Sequence, residues 1–239
     1  MIIIPARIGS SRFPNKVLAD IGGVPMVVRT AMTVQDIDNV VIATDSQEVI
    51  DIAAQHDIRA VMTSNTHQSG TDRIYEAAQK LKLSEDEIII NVQGDEPFIE
   101  SEVVQTIYDL TKRNRSNEKV LMNSCYKRIT NPEADDPNIV KVVTDTDDIA
   151  LYFSRAKIPH PRDHHFDKYK GHLGIYGFTM KSLSQFCALS PAPLEEIEKL
   201  EQLRALYHGY EVAMVEVETE SFGIDTPEDL EKAIRYHRL

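Results

Sequence analysis

Short apolar, β-rich runs alternate with helix-patterned stretches through the first half of this chain. The runs are Ile2-Ile4, Val40-Ala43, Ala60-Met62 and Ile88-Val92. Apolar residues recur at helical spacing over Pro25-Gln35, Ser46-His56, Gly70-Lys82 and Ser101-Arg113. A β-α-β-α rhythm predicts a parallel sheet covered by helices on both faces. The runs show little polar–apolar alternation, as strands buried on both sides require. The second half breaks the rhythm. Val120-Tyr126, Ile139-Thr144, Ala150-Ser154 and His172-Thr179 are closely spaced strands, the last two separated by a Pro- and His-rich loop. Helices are expected at about Pro193-Tyr207 and Thr226-His237, flanking a strand near Glu211-Val217. The pattern predicts one α/β domain over residues 1–239, with an antiparallel subdomain at about 145–222.

Charge narrows the list of partners. The 239 residues carry 26 Lys+Arg against 38 Asp+Glu, a net charge of −12. That balance predicts neither nucleic acid nor an anionic membrane as a partner. No apolar run approaches the roughly 18 residues of a membrane span. The opening Met1-Arg7 has no basic leader of the secretory kind. Cys125 and Cys187 stand far apart in sequence, which predicts reduced core residues in a cytoplasmic protein.

Against this acidic background, residues 1–19 hold Arg7, Arg12 and Lys16 and no acid. The segment Pro5-Ala6-Arg7-Ile8-Gly9-Ser10-Ser11-Arg12 comes directly after the first strand. A small-residue turn with three cations at the carboxyl end of a parallel strand suits a polyphosphate. It is neither a P-loop nor a dinucleotide fingerprint, since no Gly-Lys-Ser/Thr and no G-x-G-x-x-G occurs in it. After the fourth run, Gln93-Gly94-Asp95-Glu96-Pro97 places Asp95 at the same sheet rim. There it serves either as a turn former or as a ligand of a hard cation, which takes one or two carboxylates plus phosphate oxygens. In Gly223-Ile224-Asp225-Thr226-Pro227-Glu228-Asp229, Thr226 reads as the helix cap and Pro227 as the first helical residue. Asp225 is thereby released from capping and is either solvated or a second metal ligand.

Over Pro193-Tyr207 a continuous helix would place Leu194, Ile197, Leu200 and Leu203 on one side. Glu201 and Arg204 fall within that arc at i,i+3 spacing, either as a mutually paired couple or as the lining of a polar pocket. Arg155 ends the aromatic-rich run Leu151-Tyr152-Phe153-Ser154, where its planar fork would suit a carboxylate or a surface pair. His164 and His165 read as solvated loop residues.

These segments together resemble the 3-deoxy-manno-octulosonate (Kdo) cytidylyltransferase family. The resemblance rests on Ile4-Pro5-Ala6-Arg7 through Lys16, Ala43-Thr44-Asp45, His67-Gln68-Ser69-Gly70-Thr71-Asp72-Arg73 and Asn91 through Pro97. It extends to Ala150 through Arg155, His172-Leu173-Gly174-Ile175-Tyr176, Leu200-Glu201-Gln202-Leu203-Arg204 and Gly223 through Pro227. Phe13 and Asn15 depart from the family's usual Leu and Gly, and His160 stands where Trp or another residue is common. The resemblance implies a Rossmann-like nucleotidyltransferase fold, a mixed, mostly parallel sheet flanked by helices, whose 145–222 subdomain binds sugar and dimerises. It also implies a homodimer that uses Mg2+ to couple CTP and Kdo into CMP-Kdo and pyrophosphate for lipopolysaccharide assembly, with a Kdo analogue or sialic acid as the other substrate reading. By matching motif, Arg7, Ser10, Arg12 and Lys16 would hold the triphosphate, with Gln93 beside the nucleotide. Asp95 and Asp225 would bind metal, and these two with Lys16 and Arg12 would form the catalytic set. Arg155, His172, Tyr176, Glu201 and Gln202 would form the sugar-acid pocket.

Overall fold

The computed structural model describes residues 1–9, 13–67, 69–163 and 166–237. Ser10 and Arg12 of the expected triphosphate loop, and His164 and His165, lie outside the described residues. The four predicted runs form strands β1 (Ile2–Ala6), β4 (Val40–Thr44), β5 (Arg59–Met62) and β6 (Ile88–Asn91). A small antiparallel ribbon, β2 (Asp20–Ile21) with β3 (Val24–Pro25), lies between the first two in sequence. The predicted helices are α1 (Met26–Val34), α2 (Gln47–Gln55), α3 (Gly70–Lys80) and α4 (Ser101–Asn114). The second half adds β7 (Val120–Ile129), β8 (Lys141–Thr144), β9 (Ala150–Ser154), β10 (Tyr169–Thr179) and β11 (Glu211–Glu216). Its helices are α5 (Asn131–Asp135), α6 (Met180–Ala188), α7 (Pro193–Glu198), α8 (Leu203–Tyr207) and α9 (Pro227–His237).

The main sheet runs β11-β7-β10-β6-β1-β4-β5, with the β8–β9 pair attached to β10. Within that path only β10 is antiparallel to its neighbours. Alternate residues of the buried strands supply two cores. Ile2, Ile4, Ile42 and Ile90 pack beneath α1, α2 and α4, while Ile3, Ala43 and Ile89 pack beneath α3 and α6. No helix among the described residues is long and apolar enough to cross a membrane.

The reversed direction of β10 decides which of its residues can meet a ligand. In a parallel sheet only strand carboxyl ends reach the ligand-binding rim. Because β10 runs the other way, its first half reaches that rim instead, and Tyr176 sits opposite Asn91 at the end of β6. Further along β10, Gly177 lies under α4. A Cβ there would stand 1.9 Å from Thr111 Oγ1 and 3.0 Å from Ile107 Cγ2. Gly177→Ala is therefore expected to destabilise the fold by about 1–3 kcal/mol through overpacking. Urea denaturation checks this, and adding Thr111→Ala should recover most of the loss.

Candidate active site

Three backbone devices bring Lys16, Asp95 and Asp225 together. Asn15 takes the left-handed conformation (φ 56°) and starts a single 3-10 turn over Lys16–Leu18, anchored by buried Val17. Asparagine tolerates that conformation better than most residues, so the turn forms without a glycine. After β6 the chain passes β1 so closely that a Cβ on Gly94 would stand 3.0 Å from the Pro5 carbonyl oxygen. Glycine is what lets the turn carrying Asp95 lie against the strand end. The Ile224 amide then donates to the Asp95 carbonyl at 2.9 Å, stitching the 221–225 segment onto that turn. Thr226 caps α9 as predicted: the Asp229 amide donates to Thr226 Oγ1 at 3.1 Å, and the Thr226 amide to Asp229 Oδ2 at 2.9 Å.

Lys16 Nζ consequently donates to Asp95 Oδ2 at 2.5 Å and to Asp225 Oδ1 at 2.8 Å. Burial alone would lower the lysine pKa, but the two carboxylates outweigh it and hold the ammonium above its usual value. Two acids converging on one cation match the donor set a hard divalent ion takes when phosphate oxygens complete its shell. The two carboxylates fit Mg2+ on that ground.

The centre opens into a cavity of about 340 Å³ lined by Arg7, Lys16, Arg73, Gln93, Asp95 and Asp225, among others. Buried Arg73 is fixed by Asp45 Oδ2 at 2.8 Å and Thr63 Oγ1 at 2.7 Å, which explains why the Ala43-Thr44-Asp45 and Gly70-Thr71-Asp72-Arg73 segments go together. A second cavity of about 410 Å³ is lined by His172, Tyr176, Glu201 and Gln202, with Asn138 and Lys199 on its wall. The two share Ser69, Gly70 and Gln93. Ser69 caps α3, its hydroxyl accepting from the Asp72 amide at 3.0 Å.

The second cavity is built on a bulge. Between Leu173 and Tyr176 the β10–β7 register slips, so that Leu173 faces Cys125 while Tyr176 faces Ser124. Backbone carbonyls freed by the slip turn inward. Gln93 Nε2 donates to the Gly174 carbonyl at 3.2 Å, tying the first cavity to the second. His172 is pushed down to about 3 by burial, so the imidazole is neutral at working pH. Tyr176 donates to Gln202 Oε1 at 3.2 Å. Glu201 accepts from Thr71 Oγ1 at 2.9 Å, and its Oε2 has no hydrogen-bond partner among the described residues. Burial pushes its carboxyl up to about 7 from an ordinary 4.5.

A raised carboxyl pKa stabilises the fold below the unfolded value, and that stability is lost as pH rises through about 7. Glu201→Gln, which cannot ionise, should therefore gain melting temperature relative to the parent between pH 5 and pH 8. A constant difference across that range would contradict the assignment.

One sequence expectation is corrected and one open choice is decided. Pro193-Tyr207 is not one helix: Lys199 takes the left-handed conformation (φ 53°) and ends α7. With the face broken, Ile197 is 79% exposed. Arg204 pairs not with Glu201 but with Glu195, at 2.5 and 2.8 Å, which leaves Glu201 to the cavity. Arg155 also differs from the other expected sugar residues. It does not line the cavity, and its guanidinium donates to the Glu198 carbonyl at 2.7 Å and the Pro137 carbonyl at 3.0 Å. Sequence reasoning assigns no cavity role to Asn138 or Lys199, and the left-handed turn at Lys199 carries no glycine to announce it.

The class emerges from comparison. Residues 1–221 match the cytidylyltransferase family model. The 3-deoxy-manno-octulosonate cytidylyltransferase of Nitratiruptor sp. is 56% identical over 232 residues, covering 97% of each chain. That of Wolinella succinogenes is 52% identical, covering 98% of each chain. The chain belongs to the 3-deoxy-manno-octulosonate cytidylyltransferase family. Among solved structures it is similar to a CMP:2-keto-3-deoxy-manno-octonic acid synthetase complexed with CTP, with a TM-score of 0.89, 39% identity and coverage of 100% of this chain and 98% of that one. A cytidylyltransferase from Leptospira borgpetersenii shares the fold at a TM-score of 0.61 and 19% identity, covering 98% of this chain and 86% of that one.

Proposed function

We propose that this chain transfers a cytidylyl group from CTP to Kdo, releasing pyrophosphate. The observation that carries the reading is two adjoining cavities that meet at Gly70 and Gln93, one with a cation-and-carboxylate centre and the other lined by His172, Tyr176, Glu201 and Gln202. In-line attack of the Kdo C2 hydroxyl on the α-phosphorus asks chiefly for alignment and charge neutralisation. Arg7 and Lys16, together with Ser10 and Arg12, hold the triphosphate, and Gln93 lies beside the nucleotide. Asp95 and Asp225 would hold Mg2+, which would supply a Lewis acid that offsets phosphate charge and lowers the pKa of the attacking hydroxyl. Lys16 meets charge growing on the leaving pyrophosphate.

On the sugar side, His172, Tyr176, Glu201 and Gln202 present a mixed polar surface to the sugar hydroxyls. Arg155 acts on the same cavity through its wall, since it ties down Pro137 and Glu198, the neighbours of wall residues Asn138 and Lys199. The protein works in the cytoplasm as a homodimer, with the 145–222 segment serving sugar binding and dimerisation. Leu151, Ile197 and Tyr207 are each exposed within that segment, which supports an association that would cover them.

Incubation with CTP, Mg2+ and separate sugar acids, then mass spectrometry, tests the reading. CMP-Kdo is the expected product. Turnover of sialic acid in preference to Kdo would replace the substrate, and no turnover of any acid would refute the activity.

A further inference from the structure

Ser124 lies on β7, fully buried, and belongs to neither the catalytic nor the substrate-binding set. Its hydroxyl oxygen is 2.9 Å from the Ile175 carbonyl, 3.3 Å from the Leu173 carbonyl and 2.9 Å from His172 Nε2. A serine hydroxyl has one proton to give and lone pairs to receive. The two carbonyls belong to the bulge and can only accept, so they take that proton. What the hydroxyl offers His172 is therefore a lone pair, and Nε2 must carry the hydrogen.

The consequence passes along the cavity wall. A neutral imidazole with its hydrogen on Nε2 has a bare Nδ1, which accepts. Gln202 Nε2 stands 3.4 Å from Nδ1. With its amide nitrogen turned to the histidine, Gln202 must turn its oxygen to Tyr176, whose hydroxyl donates to it at 3.2 Å. The direction of the whole chain is set by the bulge carbonyls beneath Ser124.

We propose that Ser124 is a positioning residue for sugar-acid selection: by fixing the His172 tautomer it fixes the orientation of the Gln202 amide presented to the substrate. The proposal rests on the sugar-acid reading of the second cavity. Without the hydroxyl, His172 is free to carry its hydrogen on Nδ1. Gln202 then faces a donor on one side, its amide turns over, and donors and acceptors exchange places at the cavity surface.

The test has a spectroscopic arm that needs no substrate. In 15N-histidine-labelled protein, His172 is assigned by the signal missing from His172→Gln. The proposal predicts a protonated-type Nε2 and a bare-type Nδ1 in the parent protein. In Ser124→Ala the two shifts should average or exchange. The KM for Kdo should rise roughly tenfold, the scale of one lost hydrogen bond, while kcat and the KM for CTP stay within about twofold. A parent Nδ1–H tautomer would overturn the proposal even if Ser124→Ala failed to fold. So would an unchanged tautomer in Ser124→Ala, or a changed tautomer with an unchanged Kdo KM. A parent protein that turns over no Kdo would refute the activity and leave the tautomer result standing separately.

Discussion

Replacing Asp95 with asparagine is expected to lower kcat for pyrophosphate release by roughly a thousandfold or more, the scale of a lost charge-stabilising group at a reacting phosphate. Asparagine keeps the size of the side chain and an oxygen for Lys16, so the turn after β6 has no steric reason to move. Asp95 is 27% exposed and its ion pair with Lys16 is part-buried, so stability should fall by only about 1 kcal/mol. Steady-state kinetics at saturating CTP and Kdo, paired with urea denaturation, separate the two effects. A variant that turns over at nearly the parent rate would remove Asp95 from the metal site.

Lys16→Gln should show opposite changes in two quantities. Its ammonium is shared between Asp95 and Asp225, at 2.5 and 2.8 Å. Turnover should fall by roughly a hundredfold to a thousandfold, because charge on the leaving pyrophosphate loses a fixed cation. Affinity for Mn2+ in the absence of nucleotide should rise, because the two carboxylates no longer hold a competing positive charge. Manganese titration monitored by electron paramagnetic resonance reads the second effect independently of activity. Reduced Mn2+ affinity would mean that Lys16 organises the carboxylates and does not compete for them.

Much of this centre is legible in the sequence for physical reasons. Apolar runs without alternation announce buried parallel strands, and the polar residues after such a run must stand at the rim, which locates Asp95. The Thr226-Pro227 cap signature frees Asp225, and the acid-free opening segment marks Lys16. Glu201 is less accessible: its periodicity suits a helix, but the left-handed Lys199 breaks α7 without the glycine that usually signals such an end. Helix α6 (Met180–Ala188) escapes sequence reading because it continues directly from β10, with Thr179 both ending the strand and capping the helix. The bulge leaves only Gly174 as a trace. A slip in register is a property of paired strands, and no single strand's composition encodes it.

Crystals grown with Mn2+ and CTP give the most direct view of the reacting centre. Anomalous scattering should place manganese against Asp95 and Asp225, with Lys16 Nζ moved off both carboxylates and onto the triphosphate. Manganese bound elsewhere, or a lysine still seated between the two aspartates with CTP in place, would contradict a metal centre built on this pair.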